Sequence, residues 1–467
     1  MMNLKRLSFY IFLFTGVLAV NGCKKFLDIL PSSTSVNPTT MKEFQEMLNN
    51  DSLSRVNFFQ LDYMTDDVQL TDAYYANGDN FLRRGYLWAD TYWNPAQDDY
   101  MYNSSYTRIL QMNIILERIK SAPADELNTA ENRSTVISQA LINRAWYYLQ
   151  LVNAYGPAYD AATAKTDLGV PLILEPNADV ILGRANVEDV YTRIIEDLKT
   201  AVNNPYLKSK GTDIVHPGKA AGFGLLARAY LYKSDYQKAA LYADSALLLE
   251  KTLYDLTTNT YYPGELVNLV PNPEVLMARI CIDNKFYTTY TGYVSTSQAL
   301  LDSMGGAYTT DRRYTQRFLN KVLRLNSSNV YAMVFDNSVS VPEVMLIKAE
   351  YLARNGDAAG AGTILTQLRS KRMPAATVSN RTYTAGNILQ YVLGERRREL
   401  CFHGGLRLFD LKRLNKEDRF KRNLTRTTGS TGTGTLLATL PAGSPRYLIP
   451  FSPNVLVANP KIVQNPR

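Results

Sequence analysis

The feature that most constrains the fold is a pair of short amphipathic segments within residues 219–249. In the first segment apolar residues recur at steps of three and four, which places them on one face of a helix. Ser234 and Asp235 then interrupt the pattern, and an alanine-rich helical face follows. Because large side chains such as Tyr230 oppose these alanines, the two axes can approach closely. A big–small helix pair within about 34 residues is typical of a tetratricopeptide repeat.

A single helix pair cannot bury its outer face, so further helices must stack on it. A second pair with small residues at similar positions is predicted within residues 342–372. Helical periodicity also marks several other segments, namely 41–48, 61–70, 107–120, 136–155 and 187–202. We therefore expect a mainly α fold, a tetratricopeptide-type α-superhelix with long loops and a few short strands.

The N-terminus has the layout of a secretory signal. Lys5 and Arg6 precede an apolar run over residues 7–20, which is shorter than the ~20 residues that a membrane-spanning helix needs. The sequence V-x-G-C ending at Cys23 resembles a bacterial lipobox, so we expect Cys23 to be lipidated and the protein to be held to the membrane by lipid alone. The predicted organisation is a signal peptide over 1–22, a lipidated tether over 23–40 and one helical domain over 41–467.

Charge and composition argue against several classes of ligand. The formal net charge is +8, which becomes +6 when the two basic residues of the signal are removed, and the basic residues are interleaved with acidic ones. Nucleic acid binding is therefore not expected. His216 and His403 lie far apart and form no paired-ligand pattern, so neither a metal site nor a cofactor is predicted. Cys281 and Cys401 lie in apolar stretches and are expected to be buried free thiols, although an envelope location would permit a disulfide.

The main candidate for a binding site lies between residues 71 and 106, which contain seven tyrosines and two of the three tryptophans. Flat aromatic faces suit the C–H faces of sugar rings, while polar neighbours can hydrogen-bond the hydroxyl groups. The segment therefore predicts a saccharide site. The candidate ligand-binding residues are Trp88, Tyr92, Trp93, Asn94, Tyr74, Tyr75 and Arg84, with Asp98 close by in sequence.

A second aromatic loop over residues 286–293 adds Tyr290 and Tyr293, with Tyr287 beside them, as further candidates. The alternative for any of these aromatic residues is that it fixes a loop onto the helical scaffold. Trp146 lies within a regular helical pattern and is expected in the core.

The sequence gives little support for a catalytic function. The chain has no G-x-S-x-G nucleophile motif, and its Gly-rich segment at 425–435 lacks the Gly-Lys-Ser/Thr of a phosphate loop. A glycosidase needs two carboxyl groups that flank a cleft, which sequence spacing alone cannot show. We therefore expect a protein that is not an enzyme, with a hydrolase as an alternative. The paired carboxylates behind that alternative are Asp66 with Asp67, Asp98 with Asp99, and Glu395 with Glu399.

Several blocks, in order, together resemble the SusD/RagB family of outer-membrane nutrient-binding lipoproteins. They are the lipobox followed by Phe26-Leu27-Asp28 and Pro31, RAWYYLQLVNAYGP, GVPLILEP, VEDVYTRIIEDLKTAV, ERRREL with RLFDLKR, and the closing YLIPFSPNVLVANPKIVQNP. One block departs from the family pattern. Where the family usually has Phe-Glu-Gly, this chain has Phe402-His403-Gly404-Gly405 and one extra residue.

The resemblance implies a single SusD-like superhelix that carries a loop-rich ligand-binding region. It also implies a non-enzymatic, lipid-anchored protein of the outer-membrane surface, which captures oligosaccharides and caps a SusC-like TonB-dependent transporter. Some branches of the family capture peptides instead, so a peptide ligand stays open as an alternative.

Overall fold

The computed structural model describes residues 38–72, 80–259, 272–279, 294–304, 310–319, 322–323, 338–378, 381–429 and 434–467. The signal segment, Cys23 and Cys281 lie outside these ranges. Residues Thr40–Arg467 form one compact unit. Among the described residues, no helix is both long enough and apolar enough to cross a membrane.

Helices dominate the described part of the chain, which confirms the predicted fold class. They are α1 (Met41–Asn49), α2 (Gln60–Tyr63), α3 (Phe81–Tyr86), α4 (Tyr100–Arg118), α5 (Ala130–Tyr155), α6 (Val187–Val202), α7 (Lys219–Tyr232), α8 (Tyr236–Leu249), α9 (Gln298–Met304), α10 (Arg312–Arg317), α11 (Val341–Arg354), α12 (Ala358–Ser370), α13 (Ile388–Glu399), α14 (Leu406–Leu414) and α15 (Pro453–Ala458). From α4 to α8 each helix packs on the next, α11 packs on α8, and α12 and α13 pack on α11.

The helix pair α7–α8 forms as its sequence predicts. The side chain of Asp235 accepts a hydrogen bond from the backbone of Lys238 and so caps α8. The ring of Tyr242 stacks on those of Phe223 and Tyr230, at centroid distances of 6.2 and 5.4 Å. Buried alanines of α8 face α7, so large side chains meet small ones across the pair.

Helix α5 runs through the centre of the main hydrophobic core. Its second half is buried on all sides, and Trp146 is a core residue as expected, with its ring edge-on to Phe58 at 5.6 Å. The segment 169–176 is extended but joins no sheet; Tyr106, Tyr148 and Asn113 bind its carbonyl oxygens instead. These side chains satisfy backbone groups that a strand partner would otherwise satisfy.

The strands are short. They are β1 (Val68–Leu70), β2 (Val275–Met277), β3 (Val294–Thr296), β4 (Phe318–Leu319), β5 (Val322–Leu323), β6 (Val339–Ser340), β7 (Leu424–Thr427) and β8 (Leu436–Leu440). All pairs are antiparallel, in a four-stranded sheet of order β1-β3-β5-β4, the pair β2-β6 and the hairpin β7-β8.

The structure corrects one helix prediction. Residues 61–70 show helical periodicity, yet the helix ends at Tyr63 and Val68–Leu70 form strand β1. Pairing with β3, more than 220 residues away in sequence, supplies backbone hydrogen bonds that local periodicity does not reveal. Tertiary context here overrides the local preference.

The turn that departs from the family pattern has an unusual backbone. Phe402, Gly404 and Gly405 all have positive φ, at 58°, 54° and 88°. The backbone N–H groups of Gly404 and Gly405 donate to the carboxylate of Asp62 at 3.0 and 2.9 Å. A Cβ on Gly405 would lie 2.6 Å from the side chain of Leu61, so this position needs glycine for space as well as for φ.

Candidate functional site

Sheet pairing brings together the two strand ends to which the aromatic segments of the sequence are attached. Strand β1 pairs with β3 so that Leu70 lies opposite Val294. The segment 71–79 follows the end of β1, and the segment 280–293 leads into β3 at the same end of the sheet. The first and second candidate segments, which are about 200 residues apart in the chain, are therefore attached to neighbouring residues.

The β7–β8 hairpin ends at the same place. The side-chain amide of Gln69 donates to the backbone oxygens of Thr427 and Gly429, at 3.1 and 3.2 Å. The carboxylate of Asp72 accepts from the N–H of Gly429 at 2.9 Å. We call this end of the sheet, marked by Asp72, Val294 and Gly429, the loop face. The Gly-rich composition of 425–435 did not indicate this position, because long-range contacts determine it.

Trp88 is part of the scaffold beneath the loop face. Its side chain is completely buried, and its indole N–H donates to the backbone oxygen of Met64 at 2.9 Å. The residue has φ of 51°, a conformation that costs a non-glycine residue about 1 kcal/mol or more. Tight packing and this hydrogen bond hold the strained backbone in place.

Arg426, on strand β7, connects this scaffold to the hairpin. Its buried guanidinium donates to the backbone oxygens of four residues, which are Tyr63, Thr65, Val68 and Tyr86. The same group lies 3.9 Å from the ring centroid of Tyr86 and 4.4 Å from that of Trp88. Because these carbonyl groups are buried, the arginine satisfies acceptors that would otherwise have no donor.

Tyr92 and Trp93 are packed in the same block. The ring of Trp93 stacks on that of Phe81 at 5.5 Å, and its N–H donates to the backbone oxygen of Pro450 at 2.7 Å. Tyr92 is edge-on to Trp93 at 4.8 Å. Burial, reinforced by the nearby Asp99, raises the pKa of Tyr92 above its ordinary value, so the phenol stays neutral.

The structure therefore corrects the prediction that Trp88, Tyr92 and Trp93 offer platforms to a ligand. Even the most accessible of them, Trp93, is only 7% exposed, which leaves no free face for a sugar ring. The indole N–H groups of Trp88 and Trp93 donate to the backbone oxygens of Met64 and Pro450, and Tyr92 packs edge-on against Trp93, so these rings fix loops onto the scaffold. Composition alone could not separate the two roles.

The other candidates have different surroundings. Arg84 is half-buried and donates to the backbone oxygen of Trp93 at 3.2 Å, whereas Asn94 is exposed. Asn94 directly follows Trp93, whose ring stacks on that of Phe81 at the start of α3. Tyr74, Tyr75, Tyr287, Tyr290 and Tyr293 lie outside the described residues and stay predictions.

One accessible aromatic residue of this segment was not among the predicted candidates. Tyr100, at the start of α4, has 72% of its surface exposed. Asp98 nearby is exposed as well and accepts a hydrogen bond from the side chain of Asn454 at 2.7 Å. The stretch from Asn94 to Tyr100 thus combines one accessible ring with exposed polar side chains, those of Asn94 and Asp98.

The paired carboxylates that suggested a hydrolase have structural partners. Arg397 and Arg407 bind Asp66, and Arg397 also binds Asp67 at 2.7 Å. Although burial opposes it, the guanidiniums of Arg397 and Arg422 hold the pKa of Asp66 below its ordinary value. This carboxylate is therefore an ion-pair partner in the interior.

Glu395 and Glu399 share Arg313 at 2.7 Å each. Despite its burial, Glu395 has a pKa well below the ordinary range because Arg398, Arg313 and Arg369 surround it. Asp99 is buried against the hydroxyl of Tyr155, away from solvent.

Cys401 and His216 lie apart from the paired carboxylates. Cys401 is buried, as predicted. The ring of His216 contacts the side chains of Asp213 and Asn49, at 2.7 and 2.9 Å. Within the described ranges, no group of three or more His, Cys, Asp or Glu side chains is placed to hold a metal ion.

Two sequence families match the chain. The family described as starch-binding and associating with the outer membrane, SusD-like, matches residues 25–231, and the SusD family matches residues 286–467. The chain belongs to the SusD/RagB family. No curated protein sequence matches it significantly.

Solved structures share the fold. A protein of Bacteroides vulgatus, provisionally named for sugar binding, is 21% identical with a TM-score of 0.74 over 92% of this chain and 99% of its own. A SusD superfamily protein of Bacteroides thetaiotaomicron is 19% identical with a TM-score of 0.73, over 92% and 100%. A laminarin-binding SusD-like protein is 18% identical with a TM-score of 0.63, also over 92% and 100%. At these identities the likeness concerns the fold alone.

Proposed function

We propose that this SusD/RagB protein binds oligosaccharides at its loop face and delivers them to a SusC-like TonB-dependent transporter. In this proposal a lipid on Cys23 holds it at the cell surface of the outer membrane. Family membership supports the proposal, as does the family description, which names starch binding and outer-membrane association. Two relatives in structure are named for sugar or laminarin binding.

One observation carries the position of the site. The two segments that the sequence singles out for aromatic content join the sheet at opposed residues, Leu70 and Val294. We propose that Tyr74, Tyr75, Tyr290 and Tyr293 supply the sugar platforms there. Arg84 and Asn94 lie close to the end of the first segment and would supply hydrogen bonds to hydroxyl groups.

The surroundings of the paired carboxylates favour binding without catalysis over hydrolysis. A glycosidase needs an acid and a base or nucleophile that face the scissile bond across a cleft. In this protein Asp66 and Glu395 each bind several buried arginines, which fixes them as ionised structural groups. We therefore propose that the protein is not an enzyme. Incubation with oligosaccharides should release no new reducing ends.

A titration tests the proposed site. The full chain in mild detergent is titrated with laminari-oligosaccharides and other neutral glycans, followed by calorimetry. Replacing both Tyr74 and Tyr293 by alanine should weaken binding at least tenfold, because each stacked ring contributes on the order of 1 kcal/mol. The control is Tyr206→Ala, since Tyr206 is 45% exposed and lies in a different loop. If the double variant and the Tyr206→Ala control bind the glycan equally well, the proposed site at the loop face is contradicted.

Two further measurements test the rest of the proposal. If the same full chain binds peptides but none of the glycans, the peptide alternative within the family replaces the glycan proposal. Membranes from cells that carry a tagged chain should yield a TonB-dependent transporter together with it, and the Cys23→Ser variant should leave the outer-membrane fraction. A chain that stays in the outer membrane without Cys23 would contradict the lipid anchor.

A further inference from the structure

A cleft on another part of the molecule has a charged lining that is almost entirely cationic. It has a volume of about 650 Å³ and lies between α9, α13, α14 and the turn Asp418–Phe420. This volume is within the range of about 300–1,000 Å³ that is common for small-ligand sites. Seven lysines and arginines line the cleft against one carboxylate, that of Asp302. None of its lining residues marks the loop face.

The floor of the cleft holds more guanidiniums than carboxylates. Arg397, Arg407 and Arg422 all line it, and all three bind the carboxylate of Asp66. The only further acid in this group is Asp67, which binds Arg397. Three cations therefore meet two anions. Asp66 and Asp67 precede β1, so this group lies at the end of that strand away from the loop face.

The three arginines line the cleft, whereas Asp66 and Asp67 do not. Both acids are buried, as are Arg397 and Arg407 with side chains 8% exposed, and the side chain of Arg422 is 43% exposed. The surface of the cleft therefore presents guanidinium groups, with their counter-charges on the interior side.

One wall adds a buried donor without an acceptor. Arg398 lines the cleft and is 7% exposed; two of its nitrogens bind the backbone oxygen of Ser303 and the carboxylate of Glu395. Among the described atoms, its Nε has no hydrogen-bond partner. Arg398 therefore adds a guanidinium to the lining that is already held by its neighbours.

The rim supplies groups that suit a sugar ring. Tyr391 and Phe420 line the cleft, and a guanidinium approaches each ring, Arg381 at 5.1 Å and Arg419 at 4.8 Å. Burial and the nearby Arg369 and Arg398 lower the pKa of Arg381, as expected where positive charges gather. The amides of Asn387 and Gln390 also line the cleft.

We propose that this cleft binds an acidic saccharide, with a hexuronate carboxylate on the guanidinium groups and the sugar ring against the rim aromatics. The planar fork of arginine matches a carboxylate with two parallel hydrogen bonds, and amides can bind the ring hydroxyls. This inference rests on the proposed function, because it adds a saccharide class to a glycan-binding protein. It places that class at a second site, separate from the loop face.

Calorimetry on the full chain in mild detergent tests the proposal with four probes. They are trigalacturonate, its methyl ester, inorganic sulfate and a neutral laminari-oligosaccharide. Trigalacturonate should bind at least tenfold more tightly than its ester, which has the same rings without the charge. Arg381→Gln and Arg422→Gln should each weaken trigalacturonate binding about tenfold, since a charge-assisted hydrogen bond is lost. The matched control is Arg133→Gln on α5, outside the cleft, whose native partner is Asn128.

Equal affinity for the acid and its ester would overturn the proposal, as would variants that bind like the wild type. If sulfate binds as tightly as trigalacturonate, the cleft is an anion site and the saccharide class is wrong. The neutral probe reports on the loop face separately. The laminari-oligosaccharide should still bind to Arg381→Gln. If the wild type binds trigalacturonate but not the laminari-oligosaccharide, the loop-face site is contradicted and the cleft proposal stands. Thermal melts of each variant confirm that it is folded.

Discussion

The rings of Trp88 and Trp93 are buried, whereas Tyr100, in the same aromatic segment, is 72% exposed. The difference follows from hydrogen bonding. Each indole N–H reaches a backbone carbonyl from a distant part of the chain, Met64 in one case and Pro450 in the other. A large apolar ring with one satisfied donor is well suited to a core, so these rings hold the scaffold together and leave ligand contact to the loops.

The largest expected change in stability comes from replacing Arg426, which binds backbone oxygens in the scaffold around Trp88. Arg426→Met should lower the free energy of unfolding by about 3–5 kcal/mol, because four buried backbone oxygens lose their donor. Urea denaturation measures this change. The control is Arg446→Met, since Arg446 lies on the surface in an ion pair with Asp90 and its loss should cost about 0.5 kcal/mol or less. Equal costs for the two variants would mean that Arg426 is no structural anchor.

Asp98 and Asp99 give a second comparison of an exposed and a buried side chain, at neighbouring positions. Burial raises the pKa of Asp99 to about 6, while Asp98 is exposed. Because the folded state holds this proton more tightly than the unfolded state, stability should fall as pH rises from about 4 to 6, by about 2–3 kcal/mol. Asp99→Asn keeps a capping oxygen and should remove this part of the pH dependence. The test is denaturation across pH, and Asp98→Asn should leave the profile as it is.

Trp88→Phe tests whether the indole hydrogen bond matters beyond ring volume. We expect a loss of about 2 kcal/mol, because the carbonyl of Met64 loses its donor and a small void forms. The affinity for neutral glycans should stay within twofold of the wild type, measured by calorimetry at a temperature where the variant is folded. A large loss of affinity without a loss of stability would return Trp88 to the ligand site.

Tyr100→Ala should show the smallest effect on stability. An exposed side chain without a special structural role changes the free energy of unfolding by about 0.5 kcal/mol or less. If the loop from Asn94 to Tyr100 contacts bound glycan, affinity should fall several-fold in the same protein. Calorimetry and urea denaturation on one preparation give both values, and unchanged affinity would exclude Tyr100 from the site.

Local sequence patterns predict much of the fold, including the helix pair within 219–249 and the central helix with Trp146. They fail to predict structure that depends on contacts with distant parts of the chain. Strand β1 exists because it pairs with β3, and Arg426 acts on carbonyls more than 330 residues earlier in the chain. For the site, aromatic content indicated two segments that are attached to paired strand residues, Leu70 and Val294. The burial of Trp88 depends on tertiary contacts that composition does not encode.

Hydrogen exchange with and without a neutral laminari-oligosaccharide tests the central claim, that glycan binds at the loop face. The full chain is labelled at saturating ligand, and peptides are compared along the sequence. The account predicts slower exchange in segments 71–79 and 280–293, with no change around Trp88. Slower exchange confined to other parts of the chain, with both segments unaffected, would contradict it.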